Sequence, residues 1–186
     1  MRTALLVIDV QQSFRERPTW AQVSNPDIAD DVNALVAQAR GRGDDVIWIL
    51  HSEPGSDGVF DPDSGFVALV PELTPTVGEP VLVKTSRNAF TTTRLGQILQ
   101  QRGVGRVVIS GIQTEQCCET TARVAADLGY DVVFVTEATA TFPITRPDTG
   151  AVLPAAAVVE RTEFALAGRF ARIAGLADAL GEQVAS

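Results

Sequence analysis

Short, uninterrupted apolar runs that alternate with helical segments are the feature of this sequence that most restricts its fold. The runs are rich in β-branched residues and occupy residues 4–8, 46–50, 81–83, 106–110 and 132–135. Continuous apolar runs, unlike alternating ones, are typical of strands that are buried on both faces of a parallel sheet. Parallel neighbours need crossover connections, and the segments between the runs have the length to supply them.

Helical periodicity marks several of these connecting segments, and glycines mark their ends. Helices are predicted over residues 28–42, 93–102, 116–128, 151–158 and 164–180. Residues 52–80 are different, because their many prolines and glycines predict an extended loop, with a helical turn near Val67. Strands that alternate with helices predict one doubly wound α/β domain over residues 1–186.

Composition excludes several classes of protein. Lys and Arg number 15 against 23 Asp and Glu, a net charge of −8, which argues against binding the phosphates of nucleic acids. The sequence has no apolar run of the roughly 20 residues that a membrane span needs, and its N-terminus lacks a secretory cleavage pattern. The two cysteines, Cys117 and Cys118, are adjacent and cannot form a disulfide framework. We therefore expect a cytoplasmic protein.

Polar side chains follow three of the predicted strands. Asp9 ends the first, Lys84 ends the third, and Cys117 follows the fourth at the start of a predicted helix. Because ligands bind outside the carboxyl ends of strands in open α/β sheets, we expect these three residues to meet at one edge. Each also has an ordinary structural interpretation: Asp9 as a turn cap, Lys84 as a solvated cation, and either cysteine as core packing.

The three side chains together suggest nucleophilic catalysis. A helix start and a nearby ammonium both lower the pKa of a thiol, so the sequence predicts that Cys117 is a thiolate at neutral pH. A carboxylate within reach acts as general base. His51 is the only histidine, which disfavours a His-rich metal site.

Three stretches resemble the isochorismatase-like cysteine hydrolases. They are LLVIDVQQSF at residues 5–14, KTSRNAF at 84–90 and GIQTEQCCETTA at 111–122, and the stretch GYDVVFVTEA at 129–138 also fits. The resemblance spans most of the chain in the expected order. It implies a three-layer α/β/α sandwich around a six-stranded parallel sheet, and a homo-oligomer, either a dimer or a tetramer.

The resemblance also implies roles for individual residues. Cys117 would be the nucleophile, Asp9 the general base, and Lys84 the cation that orients Asp9 and supports the thiolate. A cis peptide bond between Ile112 and Gln113 would turn the Gln113 amide toward the substrate. That amide would form an oxyanion hole with the Cys117 amide.

One departure from the family concerns metal binding. Nicotinamidases of the family carry a metal-binding Asp-x-His after the second strand and another histidine further on, whereas this chain has His51-Ser52-Glu53-Pro54 there and no second histidine. We expect no metal and no cofactor, with His51 in a loop or pocket wall. The alternative is a metal held by His51, Glu53 and one of Asp57, Asp61 and Asp63.

The sequence thus predicts a metal-independent hydrolase of a small carboxamide, ureido or related acyl compound, acting through a thioester. The predicted pocket residues are Phe14, Trp20, Arg87, Phe90 and Phe142. Two alternatives remain open: hydrolysis of the vinyl ether of isochorismate, and a non-catalytic interaction protein with the same fold.

Overall fold

The strands and helices are assigned from a computed structural model that describes residues 1–181. The β-strands are β1 (Arg2–Ile8), β2 (Asp45–His51), β3 (Val81–Lys84), β4 (Val104–Ile112), β5 (Asp131–Ala140), β6 (Ile144–Thr145), β7 (Val152–Leu153) and β8 (Arg172–Ala174). The α-helices are α1 (Gln12–Arg15), α2 (Ile28–Arg42), α3 (Leu95–Gln101), α4 (Glu119–Asp127) and α5 (Ala155–Leu166).

Six of the strands form one parallel sheet in the order β3-β2-β1-β4-β5-β8, and β6 and β7 form a separate antiparallel pair. β1 lies between β2 and β4, with Leu5 opposite Val46 on one side and Val108 on the other. The chain crosses over in opposite directions on the two sides of β1. Strand ends that face this switch point are where α/β sheets of this kind bind ligands.

Helices cover both faces of the sheet. On one face, Val32, Leu35 and Val36 of α2 pack in a core cluster with Val7 and Trp48. On the other face, a second cluster joins side chains of α3, α4 and α5 to the opposite side of the central strands, among them Leu99, Ala122, Leu166, Leu6 and Ile109. The structure is therefore the predicted three-layer α/β/α sandwich, and burial on both faces explains the unbroken apolar runs of β1, β2, β4 and β5. The run at 81–83 is not buried on both faces, because β3 is an edge strand that exposes Val81 and Val83.

Helix α2 has the bounds that the sequence predicts. Its buried side chains recur three or four positions apart, at Ile28, Val32, Leu35 and Ala39 among others. The helix ends at Gly43, whose φ of 73° is left-handed and whose N–H donates to the carbonyl oxygens of the last turn. A glycine adopts this conformation without the steric cost of a side chain.

The predictions for the C-terminal part are wrong in two places. The helix expected at 164–180 does not form, because α5 ends at Leu166 and the chain continues into β8, which pairs with β5. The helix expected at 151–158 begins only at Ala155, after the short strand β7 and Pro154. Strands of two or three residues are too short to show a periodic pattern in a sequence, and whether they form depends on the strands that pair with them.

Two local predictions also need correction. The helical turn expected near Val67 lies earlier, as a 3₁₀ turn over Pro62–Ser64. The helix expected at 116–128 begins as a π-helical turn, Thr114–Cys118, which leads into α4. Within residues 1–181, none of the helices has the length and apolarity to cross a membrane.

Candidate active site

Asp9, Lys84 and Cys117 meet at the carboxyl edge of the sheet. The Lys84 ammonium donates a hydrogen bond to Asp9 Oδ2 at 2.8 Å and another to Cys117 Sγ at 3.3 Å. The side chains of Asp9 and Lys84 are fully buried, and Cys117 is 5% exposed. Residues from the ends of three strands thus share one ammonium, which holds the carboxylate and the thiol side by side.

The backbone around Asp9 is shaped by a close approach between β1 and β4. Asp9 has a left-handed φ of 55°, and its N–H donates to the Ile49 carbonyl oxygen at 2.8 Å. On the neighbouring strand, Gly111 faces Ile8, and a Cβ added to Gly111 would lie 1.9 Å from the Ile8 carbonyl oxygen. Only glycine fits there, and this contact directs the chain that carries Asp9 into the site.

Cys117 lies in the π-helical turn that follows β4. The peptide bond between Ile112 and Gln113, just before this turn, is cis, at the position that the family resemblance implies. The Thr121 hydroxyl donates to the Cys117 carbonyl oxygen at 2.6 Å and accepts from the Ala89 N–H at 3.1 Å. The Thr121 hydroxyl thus connects the backbone of Cys117, the candidate nucleophile, to the backbone of Ala89.

Cys118 points away from the cavity into the apolar core. Its side chain is fully buried in the cluster that contains Ala122 and Phe134. Burial raises the pKa of the Cys118 thiol well above its ordinary value. This residue is a packing element, as a small hydrophobic side chain would be.

The charge state of Cys117 differs from the sequence prediction. Burial, followed by repulsion from Asp9, raises the pKa of the Cys117 thiol to about 12, and the attraction of Lys84 only partly offsets them. The expected thiolate is therefore wrong for the free protein. A helix start and an ammonium favour a thiolate, but α4 begins only at Glu119 and the Cys117 side chain is almost fully buried.

Asp9 is suited to accept a proton. Desolvation raises the pKa of its carboxyl group above the ordinary value, against the lowering effects of Lys84 and of hydrogen bonds. Its second oxygen, Oδ1, has no hydrogen-bond partner within the described part of the chain. A buried carboxylate with a free oxygen next to a thiol has the arrangement that a general base needs.

His51, the last residue of β2, lies next to these three residues. Its Nδ1 atom is 3.3 Å from Lys84 Nζ, and its Nε2 atom is 3.1 Å from both Glu53 Oε1 and an Arg87 guanidinium nitrogen. Two cations thus border the imidazole, and the Asp61 carboxylate accepts backbone N–H groups of its own loop. These groups do not fit a divalent cation, and residues 1–181 contain no cluster of three metal-ligating side chains.

A cavity of about 620 Å³ opens over Cys117 and Asp9. Of the predicted pocket residues, Phe14, Arg87 and Phe142 line it, and Trp20 and Phe90 do not. Trp20 packs behind Phe142 with ring centroids 6.3 Å apart, and Phe90 stacks on Tyr130 on the other side of the sheet. Trp20 and Phe90 were predicted for the pocket because they lie near loops, and this position does not show whether a side chain faces the cavity or the core.

Several residues of the cavity wall were missed in the sequence. Phe60, from the loop after β2, contacts Phe14 edge to face at 5.0 Å, and Gln116 lies beside Cys117 in the wall. Arg17 also lines the cavity, and no acidic side chain of residues 1–181 forms an ion pair with it. Irregular loops bring Arg17 and Phe60 to the site, so no periodic pattern could have marked them.

Comparisons with known proteins agree with this architecture. The isochorismatase domain model matches residues 3–163. Streptothricin hydrolase from Streptomyces noursei is 34% identical over 169 residues, which cover 88% of this chain and 59% of that protein. Ureidoacrylate amidohydrolase RutB from Klebsiella pneumoniae is 27% identical, over 74% of this chain and 73% of its own. The crystal structure of an isochorismatase from Pseudomonas putida has a TM-score of 0.85 and 31% identity, and the match covers 95% of this chain and 89% of that one. The chain belongs to the isochorismatase family of hydrolases.

Proposed function

We propose that this protein hydrolyses a small carboxamide or ureido compound through a thioester on Cys117, without a metal ion. The observation that carries the proposal is the shared ammonium: Lys84 Nζ holds the Asp9 carboxylate and the Cys117 sulfur within 3.3 Å of one nitrogen, at the base of a cavity. Nucleophile, base and orienting cation are the parts that covalent acyl transfer needs.

The first half of the reaction moves one proton and exchanges one bond. The Cys117 sulfur attacks the substrate carbonyl carbon while Asp9 accepts the thiol proton. The carbonyl oxygen becomes an oxyanion, for which we propose the N–H groups of Gln113 and Cys117 as donors. Collapse of this intermediate breaks the carbon–nitrogen bond, and Asp9 returns its proton to the departing amine or ammonia.

The second half hydrolyses the thioester. A water molecule attacks the acyl carbon, and Asp9 accepts one of its protons. The carbon–sulfur bond then breaks, Asp9 returns the proton to the sulfur, and the acid leaves. Lys84 keeps Asp9 oriented in both halves and favours its ionised form before each proton transfer, so the same carboxylate serves both halves.

Names of relatives and the cavity wall support the substrate class. Two relatives are a streptothricin hydrolase and a ureidoacrylate amidohydrolase, and the second name specifies an amide-type bond. Here the cavity combines the rings of Phe14, Phe60 and Phe142 with the cationic side chains of Arg17 and Arg87. Such a wall suits a small substrate with one flat or apolar part and one polar part. A reduced thiol fits the predicted cytoplasmic location, and the predicted homo-oligomer rests on the resemblance alone.

A matched pair of cysteine variants tests the proposal. Purified protein is assayed for ammonia release from a panel of small amides and ureido acids. Cys117→Ala should abolish turnover, and Cys118→Ala should keep most of it because Cys118 faces the core. During turnover, intact mass at short times should show the acyl group on Cys117, and added hydroxylamine should intercept it.

Other outcomes favour other activities. Full activity in Cys117→Ala, or wild-type turnover without any acyl mass or hydroxylamine product, would exclude the thioester. Consumption of a substrate that lacks an acyl carbon would favour vinyl-ether hydrolysis. The absence of turnover over a broad panel would favour a binding protein.

A further inference from the structure

The third hydrogen of the Lys84 ammonium has an acceptor that the proposed chemistry does not use. A lysine ammonium has three N–H donors and no acceptor. Two of the donors serve Asp9 and Cys117, and the remaining polar neighbour is His51 Nδ1, at 3.3 Å. Lys84 is fully buried and His51 is 4% exposed, so protein groups complete the coordination of this cation.

The contact fixes the protonation of the imidazole. Because the ammonium can only donate, Nδ1 of His51 must carry a lone pair, and the ring proton lies on Nε2. Nε2 is 3.1 Å from Glu53 Oε1, which is placed to accept that proton. The Arg87 guanidinium nitrogen, also 3.1 Å from Nε2, finds its acceptor in Glu53 and not in the ring when Nε2 carries the proton. Burial and the neighbouring Lys84 lower the pKa of His51, which keeps the ring neutral.

The Gln11 side chain binds both backbone polar groups of His51. The side-chain amide of Gln11 accepts from the His51 N–H at 2.7 Å and donates to the His51 carbonyl oxygen at 3.0 Å. Gln11 is itself fully buried, and its amide nitrogen also donates to the Ser13 hydroxyl. His51 pairs in register with Lys84 across β2 and β3, and its ring contacts Phe60 edge to face. The backbone contacts fix where the imidazole starts, and the Phe60 ring and the contacts of its two nitrogens fix its direction toward Lys84.

We propose that His51 is a positioning residue: its Nδ1 atom accepts the third N–H of Lys84 and thereby aims the other two at Asp9 and Cys117. An ammonium rotates freely about its last bond, so two acceptors define its orientation less well than three. His51 exchanges no proton with the substrate in this role. The inference rests on the proposed function, because it assigns His51 to the same site.

Two substitutions of His51 place an acceptor differently. His51→Asn keeps an oxygen near the position of Nδ1, whereas His51→Gln carries its oxygen one bond further out, near the position of Nε2. We expect His51→Gln to lower kcat by about ten- to a hundredfold, the range for a lost hydrogen bond to a charged group, with KM changed less than twofold. We expect His51→Asn to stay within about threefold of the wild type.

A second readout needs no substrate. Because Lys84 lowers the pKa of the Cys117 thiol, a misdirected ammonium should slow alkylation of Cys117 by iodoacetamide. The rate at a fixed pH should fall about tenfold in His51→Gln, which corresponds to one pKa unit, and should hold in His51→Asn. Asp57→Asn, in the exposed loop beyond His51, is the matched control and should resemble the wild type.

The outcomes separate the two proposals. Equal effects of the two His51 variants, or a larger effect of asparagine, would overturn the positioning role, since they would show that ring shape and not the acceptor matters. Wild-type alkylation and turnover in His51→Gln would overturn it as well. If no amide is hydrolysed by the wild type, the proposed function fails, and the alkylation series still decides the role of His51.

Discussion

The negative charge of Asp9 acts on Cys117 in two ways that an asparagine would separate. In the proposed mechanism the carboxylate accepts the thiol proton, and removing a general base costs a factor of roughly 10² to 10⁴. In the resting protein the same charge raises the pKa of the thiol, second only to burial. The Asp9→Asn variant should therefore turn over substrate more slowly and yet have the more acidic thiol.

The geometry sets the size of the second effect. Asp9 and Cys117 contact the same ammonium, at 2.8 and 3.3 Å. Two like charges roughly 5 Å apart at an effective dielectric constant of about 20 repel by about 3 kcal/mol. This energy corresponds to about two pKa units, so the thiolate fraction at neutral pH should rise about a hundredfold in the variant.

Alkylation by iodoacetamide measures this fraction. The rate is followed by intact mass between pH 7 and pH 10 in a Cys118→Ala background, so that the adduct reports Cys117. Lys84→Met is the control of opposite sign, because Lys84 lowers the pKa of the thiol and its loss should slow alkylation. A general loosening of the site would accelerate both variants. Slower alkylation in Asp9→Asn would refute the reasoning, since it would show that the resting thiol already depends on Asp9 for its ionisation.

Three further predictions concern the strand contact, the pH dependence and the cavity charge. Gly111→Ala should lower the free energy of unfolding by about 3 kcal/mol, because its Cβ would lie 1.9 Å from a backbone oxygen. Gly41→Ala is the control and should not lower it, because a Cβ there meets nothing within 4 Å, and equal thermal melts of the two variants would contradict the contact argument. Asp9 must be ionised to accept a proton, and burial raises its pKa. The pH profile of kcat/KM should therefore fall on its acid side at a pH above the ordinary carboxyl pKa of about 4, and a fall at or below pH 4 would exclude this role. Arg17 is a cavity cation without an acidic partner in residues 1–181. Arg17→Gln should therefore raise KM for carboxylate-bearing substrates and leave KM for neutral amides unchanged, and equal changes for both classes would argue against charge recognition.

The sequence was sufficient for the sheet and for the meeting of three side chains. Buried parallel strands show as continuous apolar runs, and the residue that ends such a run must lie at the carboxyl edge. Asp9, Lys84 and Cys117 could therefore be placed together before any coordinates were known. Their catalytic roles stay predictions, which the cysteine and aspartate variants test.

The sequence was insufficient where long-range contacts decide the outcome. Strand β8 has three residues and exists because β5 offers it a partner. The pKa of Cys117 depends on burial and on Asp9, which approaches only in the folded chain, so local sequence features predicted a pKa shift of the wrong sign. His51 lines the cavity, as the pocket-wall alternative predicts, but it ends β2, and its contacts with Lys84 and Gln11 join residues that are distant in sequence. Burial and partner geometry are properties of the fold and are absent from local patterns.

The raised pKa of the Cys117 thiol affects how the proposed attack on the substrate occurs. Transfer of a proton from a thiol with a pKa of about 12 to a carboxylate is unfavourable in the free protein, although burial raises the pKa of Asp9 as well. A free thiolate would therefore be scarce, because burial disfavours a charged sulfur in this site. Attack becomes favourable when proton transfer accompanies formation of the sulfur–carbon bond, because the negative charge then moves to the carbonyl oxygen. The nucleophile thus forms where a carbonyl carbon is within reach, which protects the resting thiol from other electrophiles. Lys84 matches this requirement, since its ammonium contacts both the proton donor and the proton acceptor and can stay in place while the charge moves between them.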